Sequence, residues 1–279
     1  MSDQTTVGVS PRAPAKTALV VLSGGQDSTT CLFMAKALGY DVHAITFDYD
    51  QRHAVEIEAS RKVAAMVGVL SHEVVVLGPI LKGTSPLTNT SEELEQYASF
   101  NDLPGGIEKT FVPMRNQLFL TIAANRAYVL GAGVLVTGVS QADSGGYPDC
   151  RAEFIKALTS TCNLGTFTGE TGVPEPLVVL TPLMDLSKAQ CVKLAMEVPG
   201  CYNALAWTHT SYDGAYPPVG QDHATLLRAK GFAEAGIPDP LIIRAFYEGL
   251  MPLPETHNYD PEVVEKYLDL LTLSKKKDV

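Results

Sequence analysis

The feature that most restricts how this chain can fold is the run Thr17 to Leu22, almost wholly apolar, which breaks abruptly into Ser23-Gly24-Gly25-Gln26-Asp27-Ser28. A continuous apolar run of that length reads as a strand buried on both faces, and the small residues after it mark a sharp turn. Ser28 to Leu38 then carries a helical pattern, so the unit is strand, turn, helix. Val42 to Phe47 and Glu73 to Leu77 repeat the strand pattern, with a helical stretch at His53 to Val67 between them. Asn116 to Leu130 reads as a long helix and Val134 to Thr137 as a fourth strand. This alternation predicts an α/β fold with a doubly wound parallel sheet, helices covering both faces. Such sheets take ligands beyond the carboxyl ends of their strands, where the Ser-Gly-Gly turn falls.

The remainder is less regular. Leu81 to Gly106 is rich in Thr, Ser, Asn, Gly and Pro, with an acidic patch at Glu92, Glu93 and Glu95, and part of it reads as a mobile loop near the site mouth. Asn163 to Pro176 is a second irregular stretch, followed by the apolar run Leu177 to Leu180 and a helix for which Ser187 is the N-cap. After Gly200 the texture changes: Trp207 to Asp222 is turn-rich, and helical patterns follow at 224 to 234, 239 to 249 and 261 to 272. The expected organisation is a disordered leader over 1–16, a main domain over 17–200 and a smaller helical unit over 201–279.

Charge and cysteine usage exclude several classes. Acidic residues outnumber basic ones 31 to 21, a formal charge of -10, which opposes a phosphate backbone, so nucleic acid is not the expected partner. Cysteines at 31, 150, 162, 191 and 201 form no CxxC pair and read as reduced thiols. Apolar stretches such as Val129 to Val139 fall short of the roughly 20 residues a membrane helix needs, and the polar first sixteen residues lack the apolar segment of a secretory signal. The cytoplasm is the expected location.

A compact phosphate ligand is a different matter. A glycine-rich turn into a helix exposes backbone N–H groups as an anion nest, to which Ser23 and Ser28 add hydroxyl donors. The plainer alternative is a tight connection capped by Asp27 or Ser28.

Ser-Gly-Gly-x-Asp-Ser after a first strand resembles the signature of the PP-loop enzymes, the N-type ATP pyrophosphatases. Phe47-Asp48-Tyr49-Asp50-Gln51-Arg52-His53, Val112-Pro113-Met114-Arg115-Asn116 and Gly145-Gly146-Tyr147-Pro148-Asp149-Cys150-Arg151-Ala152-Glu153-Phe154 resemble, more narrowly, the 7-cyano-7-deazaguanine synthase family, over residues 17 to about 237. The resemblance implies that ATP, with Mg²⁺, adenylates the carboxylate of 7-carboxy-7-deazaguanine. Ammonia displaces AMP to give an amide, and a second ATP drives the amide to the nitrile. It implies a PP-loop ATP-binding domain in which Leu22, Ser23, Gly24, Gly25, Gln26, Asp27, Ser28, Thr29, Thr30, Cys31 and Leu32, with Asp48, hold the nucleotide. Ser23, Asp27, Ser28, Arg115 and Lys188 are the catalytic candidates, the last two as cations for developing pyrophosphate charge. For both, a surface salt bridge is the competing reading. Gln51, Arg52, Asp143, Tyr147, Asp149 and Arg151 are the substrate-binding candidates: an Asp can pair with a guanine-like edge, an Arg with a carboxylate, and Tyr147 can stack on the ring. Asp149 and Arg151 could equally pair with each other, and Cys150 reads as an inert buried thiol. A homodimer and free ammonium as nitrogen donor belong to the same expectation.

The family pattern fails in three places. Its zinc cysteines correspond here to Ser211, Val219, Asp222 and Thr225, so no structural zinc is expected and no metal-ligating set is assigned. Asp222 and Ser211 are expected to hydrogen-bond the loop instead, with Val219 packed beneath Pro217 and Pro218; a substitute site from His209, Asp222 and His223 is the weaker possibility. Asp50 and Met114 stand where the family usually has glycine, which would reshape the pocket. Two other readings stay open: a PP-loop ligase that adenylates another heterocyclic acid or stops at the amide, and a nucleotide-binding protein without catalysis.

Overall fold

The computed structural model of the 279-residue chain describes residues 17–52, 55–83, 85–89, 91–103, 106–141, 146–166 and 176–272. The expected leader over 1–16 and the candidate Asp143 lie outside the described residues.

Five parallel strands form one sheet: β1 (Thr17–Val21), β2 (Asp41–Asp48), β3 (Ser71–Val76), β4 (Val134–Val136) and β5 (Val178–Leu180), in the order β3-β2-β1-β4-β5. The chain steps outward from β1 to β3, then returns to lay β4 on the other side of β1. The topological switch point therefore lies between β1 and β4, at whose carboxyl ends an open α/β sheet leaves its crevice. Alternate residues of β1 enter opposite faces, as a period of two requires. Ala18, Val20 and Leu22 join a cluster with Leu32 of α1 (Gln26–Ala37), Val63 of α2 (Val55–Val67) and Val192 of α5 (Lys188–Glu197). Leu19 joins the opposite cluster with Leu120 of α3 (Arg115–Leu130) and Ile155 of α4 (Ala152–Leu164). The predicted doubly wound sheet is what forms.

Most elements fall within two or three residues of expectation. Ser187 caps α5 through a complete capping box with Gln190. The sequence reading passed over the five-residue helix at Cys201–Leu205, and also α4. Its core-facing residues, Phe154, Ile155, Leu158 and Cys162, have helical spacing, but the polar Thr159-Ser160-Thr161 run obscures the pattern. Helices α6 (Cys201–Leu205), α7 (His223–Ala235), α8 (Pro240–Tyr247) and α9 (Pro261–Leu268) complete the chain. They contribute Leu205, Phe232, Ile243 and Val264 to the cluster that holds Val20 and Leu32, so the core runs without a gap across the boundary expected near residue 200.

The stretch expected as a loop at the site mouth is irregular but anchored. Leu87 is 1% exposed, Ser85 Oγ donates to Thr110 O at 3.1 Å, and Tyr97 N donates to Gln221 O at 3.0 Å.

Candidate active site

At the carboxyl end of β1 the chain turns through two glycines. Gly24 has φ +92, and a Cβ there would lie 2.3 Å from Glu56 O and 2.9 Å from Ser60 N of α2, so glycine is required for both conformation and space. Gly25 is the extended N-cap of α1 and supplies no side-chain cap, leaving the first-turn amides of the helix without an internal acceptor. The hydroxyls close the turn. Ser23 N donates to Ser28 Oγ at 3.1 Å, the two hydroxyl oxygens lie 3.0 Å apart, and Gly25 N donates to Ser23 Oγ at 3.2 Å. From β4, Gly138 packs so closely that a Cβ would come within 3.0 Å of the Asp27–Ser28 peptide. Helix α1 thus starts at Gln26, two residues before the sequence pattern suggested, and its N-terminus opens into a cleft of about 340 Å³.

Lys188 and Arg115 reach this cleft from distant parts of the chain, and Arg228 of α7 also lines it. Lys188, the first residue of α5, pairs through Nζ with Asp27 Oδ2, the side chains being 16% and 26% exposed. Gly231 of α7 lets Lys188 sit there, since a Cβ on it would lie 2.7 Å from Lys188 Cβ. Asp27 Oδ1 is buried with no hydrogen-bond partner among the described residues. Such an oxygen is costly unless a ligand or cation meets it. Arg115, first residue of α3, faces the same space and stands 3.5 Å from Tyr49 OH. Burial alone would lower its pKa, but Tyr49, Tyr212, Tyr147 and Asp149 around it outweigh that and raise it, so it stays charged.

The sequence candidates divide by position. Leu22, Ser23, Gly25, Gln26, Asp27, Ser28, Gln51, Arg115, Tyr147 and Lys188 reach the cleft wall. Thr29, Thr30, Cys31 and Leu32 are fully buried in α1; Thr30 Oγ1 donates to Gln26 O at 2.9 Å. Asp48 Oδ1 accepts from Asp50 N at 3.3 Å, inside its own turn. Gln51 is tied at both ends, accepting from Tyr49 N at 2.9 Å and donating to Phe47 O at 3.3 Å. Arg52 N donates to Leu87 O at 3.2 Å, away from the cleft. Tyr147 OH lies 2.6 Å from Thr110 Oγ1, and its ring packs on Phe111 at 5.2 Å. Asp149 does not pair with Arg151: its Oδ2 accepts from Asn116 N at 3.2 Å, capping α3, while Arg151 Nη2 donates to Gly146 O at 3.4 Å. Burial pushes the Asp149 carboxyl up, opposed by the Asn116 amide and Arg115. Burial likewise pushes the Cys150 thiol up to about 12, in keeping with an inert role.

Asp50 and Met114 are the described non-glycine residues with positive φ, at 62 and 66. The backbone keeps the glycine-like conformation although the side chains have changed. Both side chains are exposed and neither lines the cleft, which corrects the expectation that they reshape the pocket.

One wall of the cleft was missed by sequence reasoning. Segment 208–212 crosses beside the turn, with His209 N donating to Gly24 O at 3.0 Å, and it brings His209, Thr210 and Tyr212 to the cavity. Helix α7 holds this segment. Arg228, 5% exposed, donates to both oxygens of Asp239 at 2.6 and 2.8 Å, to Thr208 and Thr210 hydroxyls at 2.8 Å each, and to Leu205 O at 3.2 Å. Val219, expected beneath the two prolines, is 66% exposed; only its backbone engages, donating to Pro217 O at 2.9 Å. Among the described residues no three His, Cys, Asp or Glu side chains gather as a metal-binding group, and His209 Nε2 instead lies 2.6 Å from Ser211 O.

Residues 17–236 match the family described as queuosine biosynthesis protein QueC. The chain belongs to this family. It is an ATP-dependent enzyme of the PP-loop type. A 7-cyano-7-deazaguanine synthase from Gloeobacter violaceus is 50% identical over 228 residues, covering 81% of this chain and 95% of the relative. Namesakes from Chromobacterium violaceum and Laribacter hongkongensis are each 48% identical, covering 84% and 81% of this chain and 96% and 94% of theirs. No helix among the described residues is long and apolar enough to cross a membrane.

Proposed function

We propose that this queuosine-pathway enzyme converts 7-carboxy-7-deazaguanine and ammonia into 7-cyano-7-deazaguanine through adenylated acid and adenylated amide intermediates. The observation that carries the reading is the convergence of Asp27, Lys188 and Arg115 on the hydroxyl-closed turn at the N-terminus of α1. Carboxylate and amide oxygens leave poorly until they are phosphorylated, and the charge that develops in adenylation lies on pyrophosphate. Ser23, Ser28 and the first-turn amides donate to that charge, and Lys188 and Arg115 offset it, all held in place before reaction. Asp27 Oδ1, buried and unpaired, suits the Mg²⁺ that accompanies ATP, which neutralises phosphate charge when bound.

Tyr147 and Gln51, both in the cleft wall, are the substrate-side residues best supported by position. Tyr147 offers a ring face to the heterocycle; Gln51 holds the turn that presents Tyr49. Arg52, Asp143 and Arg151 remain assigned to substrate on the family resemblance, whereas Asp149 acts by capping α3 through Asn116 N. Ammonium as nitrogen source, a cytoplasmic site of action and a homodimer belong to the same reading. Incubation with ATP, Mg²⁺, ammonium and the acid is expected to yield nitrile, AMP and pyrophosphate. Amide as the end product would replace this reading with a ligase that stops halfway, and no AMP release would overturn it.

A further inference from the structure

Ser211, Asp222 and Thr225, three of the four positions matched to zinc cysteines, meet around a single carboxylate. Asp222 is 1% exposed. Its Oδ1 accepts from Thr225 N at 2.9 Å, capping α7. Its Oδ2 lies 3.1 Å from Thr225 Oγ1, 3.0 Å from Ser211 Oγ and 3.3 Å from Tyr212 N. The neighbouring residue ties in a third segment: Gln221 N donates to Gln96 Oε1 at 2.9 Å, and Gln221 O accepts from Tyr97 N. These residues do not fit zinc. No thiolate or imidazole belongs to the set, Val219 has no donor atom and faces outward, and both Asp222 oxygens are engaged by protein donors.

We infer that Asp222 is a positioning residue that takes the place of a metal cross-link, clamping segment 208–212 onto α7 so that His209 can hold the nucleotide turn. The hydrogen bond from His209 N to Gly24 O links the segment to the turn. Gly24 C=O and Gly25 N–H share a planar trans peptide and point in opposite directions. Fixing the carbonyl therefore aims the Gly25 amide, which donates to Ser23 Oγ at 3.2 Å. A buried carboxylate that accepts from several donors is stable, and each charge-assisted bond is strong enough to hold two segments in register. The inference builds on the reading of residues 23–28 as the nucleotide turn.

Asp222→Asn separates the cap from the clamp. Asparagine caps a helix as well as aspartate, so the bond from Thr225 N survives, but its Nδ2 cannot accept from Tyr212 N. Hydrogen exchange, followed without nucleotide, is expected to be roughly tenfold faster in peptides spanning 23–28 and 208–213, with β1 and β2 unchanged. The KM for ATP should rise about tenfold with kcat within roughly threefold of wild type, a split that loss of folded protein would not produce. Ser211→Ala, which removes one donor and leaves the cap intact, should show the same peptides with smaller increases should Asp222→Asn fail to fold. Unchanged exchange in 23–28, or change confined to the start of α7, would overturn the clamp. So would stoichiometric tightly bound zinc, or faster exchange after a chelator. Failure of wild type to bind ATP defeats the functional reading instead, and the nucleotide-free exchange result still stands or falls by itself.

Discussion

Two segments meet at the cleft and are held by opposite means. Residues 22–28 hold themselves: a left-handed Gly24, an extended Gly25 and two serine hydroxyls within six positions close the turn. Residues 208–221 have little internal regularity and are held from outside, by Asp222 at the start of α7 and by Arg228, which Asp239 ahead of α8 anchors in turn. The self-held turn presents the chemistry, and the externally held segment braces it through His209. A local motif survives as a string of residues, whereas a brace survives as a set of distances that different residues can satisfy. The first segment carries the whole Ser-Gly-Gly-x-Asp-Ser signature, whereas the second and the start of α7 hold Ser211, Val219, Asp222 and Thr225 at the positions where the family resemblance implies cysteine.

The strongest challenge to this contrast is Arg228→Ala. Removing one partner of a buried, fully bonded ion pair leaves Asp239 charged and unpaired, so urea unfolding should show a loss of about 3–5 kcal/mol. A loss below about 1 kcal/mol would mean the brace does not depend on that pair. Lys188→Met probes the chemistry instead: kcat/KM should fall about a hundredfold, about 2.7 kcal/mol of transition-state stabilisation, with the thermal midpoint nearly unchanged. Equal losses in midpoint and activity would assign Lys188 to structure. Gly24→Ala tests whether the turn is locally determined. Strain at positive φ, with contact against α2, should cost about 2 kcal/mol and weaken ATP binding in calorimetry. Met114→Gly should move the other way, stabilising by about 1 kcal/mol, because φ 66 suits glycine better than a side chain that faces solvent. A destabilised glycine variant would show that the Met114 side chain packs in a way its exposure does not suggest.

Much of the site could be read from residues alone. The strand-turn-helix unit and the Ser187 cap were visible because each is a property of a few adjacent residues, and the family resemblance singled out Asp50 and Met114, which do have positive φ. Other features were not. Lys188 reaches Asp27 across 161 positions, and nothing near either residue announces the pair. Asp149 looked like a ligand for the heterocycle from its place in a motif, yet its carboxylate turns to the α3 amide. Helix α4 was hidden by three hydroxyl residues whose helical cost is offset by burial of Ile155 and Leu158. Val219 was expected beneath Pro217 and Pro218, but its side chain is 66% exposed.

By itself the sequence determined the strands, most of the helices, the Ser-Gly-Gly turn and the family, since these follow from periodicity, glycine stereochemistry and short motifs. Only the tertiary structure decided that Lys188 pairs with Asp27, that segment 208–212 forms a wall of the cleft, and that the contacts of Asp222 reach Thr225 as well as Ser211 and Tyr212. Those outcomes depend on distances between residues far apart in the chain, and such distances are set only when both faces of the sheet are packed.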